Sequence, residues 1–214
     1  QRADALVFRA LVYKQIGDSA AEIADYSRVI NMPDAPAEQR ADALIDRGFA
    51  YGQADNNAAE IADYTRVIDT PDAPAMQRAR ALVNRGVACG RAGDSAAEIA
   101  DYTRVIEMTD APTEGRARAL VNRGVVHEQA GERAAAVADY TRVIDMPNAP
   151  TAQRADALVN RGRAYGEAGD SATEIADYTR VVDMPAAPFG QLADALINRC
   201  LTYRQAGDSA AEIA

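Results

Sequence analysis

Apolar residues return along the chain in two alternating stretches, each at helical spacing. In the first kind, Ala79, Leu82, Gly86, Cys89 and Gly93 fall three or four residues apart, the period of one helix face. In the second, Ile99 is followed three residues on by Tyr102, and Tyr102 three and four residues on by Val105 and Ile106. Between them lies Gly93-Asp94, a turn signal that follows a helix C-terminus. Ser95 and Glu98 then fit a capping box, S-x-x-E, that opens the second helix. The same pair stands at Ser19/Glu22, Ser171/Glu174 and Ser209/Glu212, with Asn57/Glu60 as a variant and Arg133/Ala136 in its place once. Pro-x-Ala-Pro segments (Pro33–Pro36, Pro71–Pro74, Pro147–Pro150, Pro185–Pro188) stop the second helix in four of the repeats. Proline cannot continue a helix but suits the first turn of the next. The pattern predicts pairs of helices and no strand.

The pairs are copies of one another. AEIADYSRVI at 21–30 returns as AEIADYTRVI at 59–68 and 97–106, AAVADYTRVI at 135–144 and TEIADYTRVV at 173–182, always 38 residues on. The repeats are 1–38, 39–76, 77–114, 115–152, 153–190 and a partial sixth at 191–214. A lone helix pair of this size cannot bury its apolar face, so neighbouring repeats stack. The expectation is one continuous array over 1–214, with eleven helices and the first turn of a twelfth. An arginine of the first helix and an aspartate of the second recur together, which predicts the pairs Arg47–Asp63, Arg85–Asp101, Arg123–Asp139 and Arg161–Asp177 within repeats.

These units resemble the tetratricopeptide repeat. Leu44 stands for that family's large apolar residue, Gly48 for its glycine and Tyr51 for its tyrosine; Tyr64 supplies the aromatic and Pro71 lies near the final proline. The departures are a period of 38 where the family has 34, arginine (Arg47, Arg85, Arg123, Arg161, Arg199) where it has leucine, and glutamate (Glu60, Glu98) where it has a small alanine. The resemblance implies an all-α, right-handed superhelical solenoid of antiparallel helix pairs.

Charge and composition narrow the function. The chain carries 23 basic and 32 acidic residues, for a formal charge of −9, against the basic face that a nucleic-acid binder or an anionic membrane surface needs. No apolar run approaches the roughly 20 residues that span a bilayer. Cys89 and Cys200 are isolated, so neither a disulfide framework nor a zinc site is expected, and a reducing, cytoplasmic setting is the default. The first residue is Gln1, not Met, so the natural N-terminus is expected to lie upstream. No nucleophile–base set, phosphate loop or metal-ligand cluster stands out. No enzymatic activity, cofactor or metal is expected. His127 and Cys89 occupy the column of Tyr51 and Tyr165 and read as packing residues, and Cys200 as a small residue in the glycine column.

The functional signal is a polar stripe on the first helices, offset from the packing stripe. In repeat three it is Arg80, Asn84, Val87 and Arg91; in repeat two Asp42, Asp46, Phe49 and Gln53. Repeat four gives Arg118, Asn122, Val125 and Gln129, repeat five Asp156, Asn160, Arg163 and Glu167, and repeat six Asp194, Asn198, Leu201 and Gln205. The resemblance implies that this stripe lines a concave groove and binds a peptide or protein. Asn84, Asn122, Asn160 and Asn198 form a ladder whose amides could pair with any extended backbone; a solvated polar column copied by duplication is the plain alternative. Arg80, Arg91 and Arg118, with aspartates on either side, could admit an acidic group. The leading expectation is therefore a protein–protein interaction scaffold. The alternatives are a regulatory or sensor segment of a larger signalling or enzyme chain, and an array that associates end to end with its own copies.

Overall fold

The structure, a computed structural model, describes residues 2–207. Among these residues there are eleven helices and no strand. The chain divides into two compact units, 1–115 and 116–214, and the division falls where repeat four begins. The first unit holds α1 (Arg2–Ile16), α2 (Ser19–Ile30), α3 (Ala37–Gln53), α4 (Asn57–Asp69), α5 (Ala75–Arg91) and α6 (Ser95–Glu107). α7 (Thr113–Gln129) opens the second unit, followed by α8 (Arg133–Ile144), α9 (Thr151–Glu167), α10 (Ser171–Val182) and α11 (Phe189–Ala206). The expected first turn of a twelfth helix, with Ser209 and Glu212, lies outside the described residues.

Within each unit, helices adjacent in sequence pack side by side: α1 on α2, α2 on α3, α3 on α4, α4 on α5 and α5 on α6 in the first, and α8 on α9, α9 on α10 and α10 on α11 in the second. The core is the same set of columns in every repeat. Tyr26, Tyr64, Tyr102, Tyr140 and Tyr178 are fully buried, with Val29, Val67, Val105, Val143 and Val181 one turn on. Leu44, Leu82, Leu120 and Leu158 are buried in the first helices. Burying a large side chain fully contributes roughly 1.5–3 kcal/mol. The small residue facing each tyrosine lets the two helices meet: a Cβ on Gly86 would stand 2.7 Å from the Tyr102 ring, and one on Gly48 2.8 Å from the Tyr64 ring.

The helix ends correct two sequence expectations. The N-caps of the second helices are Asp18, Asn56, Asp94 and Asp170, whose side chains accept from the backbone N–H of Ala21, Ala59, Ala97 and Thr173. The serines expected to cap, Ser19, Ser95 and Ser171, sit one residue inside the helix. Asp-Ser, or Asn56-Asn57, satisfies the capping preference at either position, and the first of the two residues takes it. The glutamates expected to complete the box point into the helix pair instead, as described below. Pro36, Pro74, Pro150 and Pro188 are the residues just before the first turn, with φ near −60° and extended ψ. Gly93, expected with the core residues, is exposed and left-handed at φ 84°, where it ends α5.

Candidate functional site

Three layers of polar side chains organise each repeat, from the helix contact outward to the exposed stripe.

The innermost is the arginine–aspartate pair. Arg47 donates from Nε and Nη2 to the two carboxylate oxygens of Asp63 at 2.7 and 2.6 Å. Arg85–Asp101, Arg123–Asp139 and Arg161–Asp177 repeat the fork at 2.7–2.8 Å. All four expected pairs are present, and Arg9–Asp25 adds a fifth at 2.6 and 2.7 Å. The carboxylate beside each of Arg47, Arg85 and Arg161 raises that guanidinium's pKa above the ordinary value. A third contact ties repeats together. Arg47 Nη1 donates to Ser27 of the preceding repeat at 2.8 Å, Arg85 to Thr65 at 2.9 Å, Arg161 to Thr141 at 2.9 Å and Arg199 to Thr179 at 3.3 Å. Sequence reasoning missed this contact, although Ser/Thr recurs there with the period. Leucine at this position could make none of these bonds. The family's apolar contact has been exchanged for a planar fork that reads two helices at once.

The second layer is a carboxylate under each interior tyrosine. Tyr64 donates to Glu60 at 3.3 Å, Tyr102 to Glu98 at 3.0 Å and Tyr178 to Glu174 at 3.3 Å. A glycine of the first helix (Gly52, Gly90, Gly166) leaves the room, since a Cβ there would collide with the glutamate. Repeat four exchanges the two residues. Glu128 occupies the glycine column, Ala136 the glutamate column, and Tyr140 donates to Glu128 at 2.7 Å. Burial raises the pKa of Glu22, Glu60 and Glu98, and burial also pushes the tyrosine hydroxyls up.

The third layer is the expected stripe. Phe49, Arg80, Val87, Arg91, Arg118, Arg163 and Leu201 are exposed; Asp42, Asp46, Asn84, Asn122, Val125, Asp156, Asn160 and Asn198 are half-buried. Most of its charges are already engaged inside their own unit. Arg80 binds Asp42 at 2.8 Å and lies 4.0 Å from Asp46; Arg91 binds Glu60; Arg163 binds Glu128 at 2.9 Å. Gln77 and Gln191 donate to Asp42 and Asp156 from the next repeat. The side-chain amides of Asn84, Asn122, Asn160 and Asn198 are different: among the described residues none has a hydrogen-bond partner within the chain. Off the stripe, Cys89 is buried and its thiol is pushed up by that burial. His127 Nδ1 lies 2.5 Å from Glu132 Oε2.

Against known proteins, the sequence model of the tetratricopeptide repeat matches residues 117–150, which spans α7, α8 and the turn after them. The repeats of this chain are tetratricopeptide-like. The crystal structure of PilW, described as a widely conserved type IV pilus biogenesis factor, is similar over all of this chain and 90% of its own, with a TM-score of 0.70 and 17% identity. At that identity the likeness speaks for the fold, a helical solenoid. No curated protein matches the chain by sequence. The single matched repeat is the one with Ala136 in the column where tetratricopeptide repeats carry a small residue. No described helix is long and apolar enough to cross a membrane.

Proposed function

We propose that the chain is a protein-interaction scaffold that holds an extended segment of a partner along the stripe of its first helices. The observation that carries this reading is the state of the asparagine column. Arg80, Arg91 and Arg163 of the stripe, with Asp42 and Asp156, are engaged inside the fold, so the fold itself has used them. The amides of Asn122, Asn160 and Asn198 in the second compact unit, and of Asn84 in the first, are half-buried and unpaired. A half-buried amide without a partner gains more from an incoming backbone than a fully hydrated one does.

The test is selection of peptides from a displayed random library on the whole chain, followed by fluorescence anisotropy of the best binder. Asn122→Ala with Asn160→Ala is expected to weaken binding by roughly 10–100-fold, at about 1 kcal/mol per lost hydrogen bond, with helicity unchanged. Binding untouched by the double variant would remove the proposal. Self-association is the second reading, favoured by Phe8, Ile16, Phe189 and Ile197, which are 58–85% exposed on α1 and α11. Sedimentation of the same samples separates the two. A concentration-dependent species that peptide does not dissolve would point to contacts between copies away from the stripe.

A further inference from the structure

Resting on that peptide-binding reading, we propose that the stripe of the first compact unit selects a partner segment that presents an arginine or lysine flanked by bulky apolar side chains. Asp46 takes the cation, and Phe49, Phe8 and Leu11 take its neighbours.

Asp46 stands in the asparagine column, where Asn84, Asn122, Asn160 and Asn198 stand in other repeats. A neutral amide has been replaced by a charge in one repeat only. That carboxylate makes no hydrogen bond among the described residues. Its nearest cation is Nη2 of Arg80 at 4.0 Å, and Nη1 of the same guanidinium is held by Asp42 at 2.8 Å. Asp42 is served by both Arg80 and Gln77, so the two acids of α3 differ: one is saturated and one is not. Burial raises the pKa of Asp46, as expected for a carboxylate partly removed from water without donors in exchange. An incoming guanidinium or ammonium would supply those donors.

The surroundings are apolar and open. Phe49 lies one turn along α3 from Asp46 and is 42% exposed; Phe8 on α1 is 70% exposed. Leu11 and Val87, in the column of Phe49, are exposed as well. α1 and α3 are in register on this face, since Gln39 at the start of α3 donates to Asp4 of α1 at 3.1 Å. The chain already places a cation here: Nζ of Lys14 sits 4.5 Å from the centroid of the Phe49 ring. The ring thus accepts an ammonium on its face, and the cation of an incoming segment would take the place of Lys14 beside Asp46, since two cations there would repel. The charge of the unit agrees. Residues 1–115 contain 19 acidic and 12 basic side chains, so a basic segment is drawn in and an acidic one is repelled.

The experiment uses the whole chain and three fluorescein-labelled ten-residue peptides of Gly and Ser with a central Phe-Arg-Phe, Phe-Glu-Phe or Ala-Ala-Ala. Phe-Arg-Phe is expected to bind at least about 10-fold more tightly than Phe-Glu-Phe, with Ala-Ala-Ala weakest. Asp46→Asn installs the residue that the column carries elsewhere, so it should fold. It is expected to bring Phe-Arg-Phe and Phe-Glu-Phe within about twofold of each other, while Phe49→Ala weakens both. Equal binding of the two Phe peptides by the parent chain, or a preference that survives Asp46→Asn, overturns the selectivity. If that happens while Asn122→Ala with Asn160→Ala still weakens the binding of library peptides, the scaffold reading stands and only the selectivity falls. If no peptide binds and the asparagines are inert, both fall.

Discussion

Repeats three and four solve the same packing problem with their parts exchanged. Both keep the arginine–aspartate fork, Arg85–Asp101 and Arg123–Asp139, each closed at 2.7 Å. Both keep a glycine, Gly86 or Gly124, against the buried tyrosine ring. They differ in how the tyrosine hydroxyl finds an acceptor. In repeat three the second helix supplies Glu98 and the first makes room with Gly90; in repeat four the first helix supplies Glu128 and the second makes room with Ala136. The gap between the helices holds one carboxylate. What is fixed is a place and a chemistry, an acceptor under the hydroxyl, and not a column. The fork cannot move in this way: Arg85, for one, must reach Asp101 of its own repeat and the Thr65 hydroxyl of the preceding one at once.

Breaking the shared part should therefore do the most damage. Arg85→Ala leaves Asp101 buried without its counter-charge, and removing one partner of such a pair costs about 3–5 kcal/mol. Arg85→Lys keeps the charge but not the fork and should recover less than half of that loss. Urea midpoints followed by circular dichroism measure both. A loss below about 1 kcal/mol for Arg85→Ala would put the pair in the class of exposed surface bridges, and the fork would then not distinguish these repeats from the leucine form.

Transplanting the part that differs should show an effect of intermediate size. Gly90→Glu alone forces a second carboxylate against Glu98, and Glu98→Ala alone leaves the Tyr102 hydroxyl without its acceptor. Each is expected to lose about 1–3 kcal/mol. The double variant carries repeat four's arrangement in repeat three and should be more stable than the sum of the singles by about 1–3 kcal/mol, read as the coupling in a double-mutant cycle. Additive losses would mean that the exchange in repeat four depends on neighbours of that repeat, such as Arg163 on Glu128.

Much of this was legible in the sequence, and the limits are instructive. Periodicity located every described helix pair, and the joint recurrence of Arg85 with Asp101 predicted a contact between helices, because a period shared by two charged residues has few other causes. The role of Glu98 was misread. S-x-x-E is a local motif, and Asp94-Ser95 offers two capping residues to one helix end, so sequence alone leaves the register open by one. The residue that decides is Gly90, eight positions upstream, whose missing side chain draws the glutamate inward; only the helix pairing brings them together. The exchange at Glu128 and Ala136 carried that information, since two neighbours altered together in one repeat. In the stripe, the engagement of Arg80 with Asp42 and of Arg91 with Glu60 was not legible, because it depends on reach between successive repeats. Asp46 and the asparagines are left unsatisfied by the same geometry.

The smallest effect sharpens the comparison by removing only the charge of the carboxylate. Burial favours the protonated form of Glu98, so the folded chain keeps that proton to a higher pH than the unfolded chain does, whose value is near 4.5. Folding is then favoured less as pH rises from 4.5 through the raised value of the folded state, and the full penalty is present at neutral pH. Glu98→Gln keeps an acceptor for Tyr102 and has no charge to desolvate. It is expected to be more stable than the parent at pH 7 by up to about 1 kcal/mol, the hydrogen bond from Tyr102 to the charged form offsetting part of the gain. The advantage should shrink as pH falls and vanish below 4.5, where Glu98 is protonated in the folded and unfolded chain alike. Other titrating groups are common to the two proteins and cancel in the difference. A difference in urea midpoint that stays constant from pH 4 to 7, or a variant less stable than the parent at pH 7, would show that Glu98 is well solvated. The glycine opposite it would then serve the tyrosine alone.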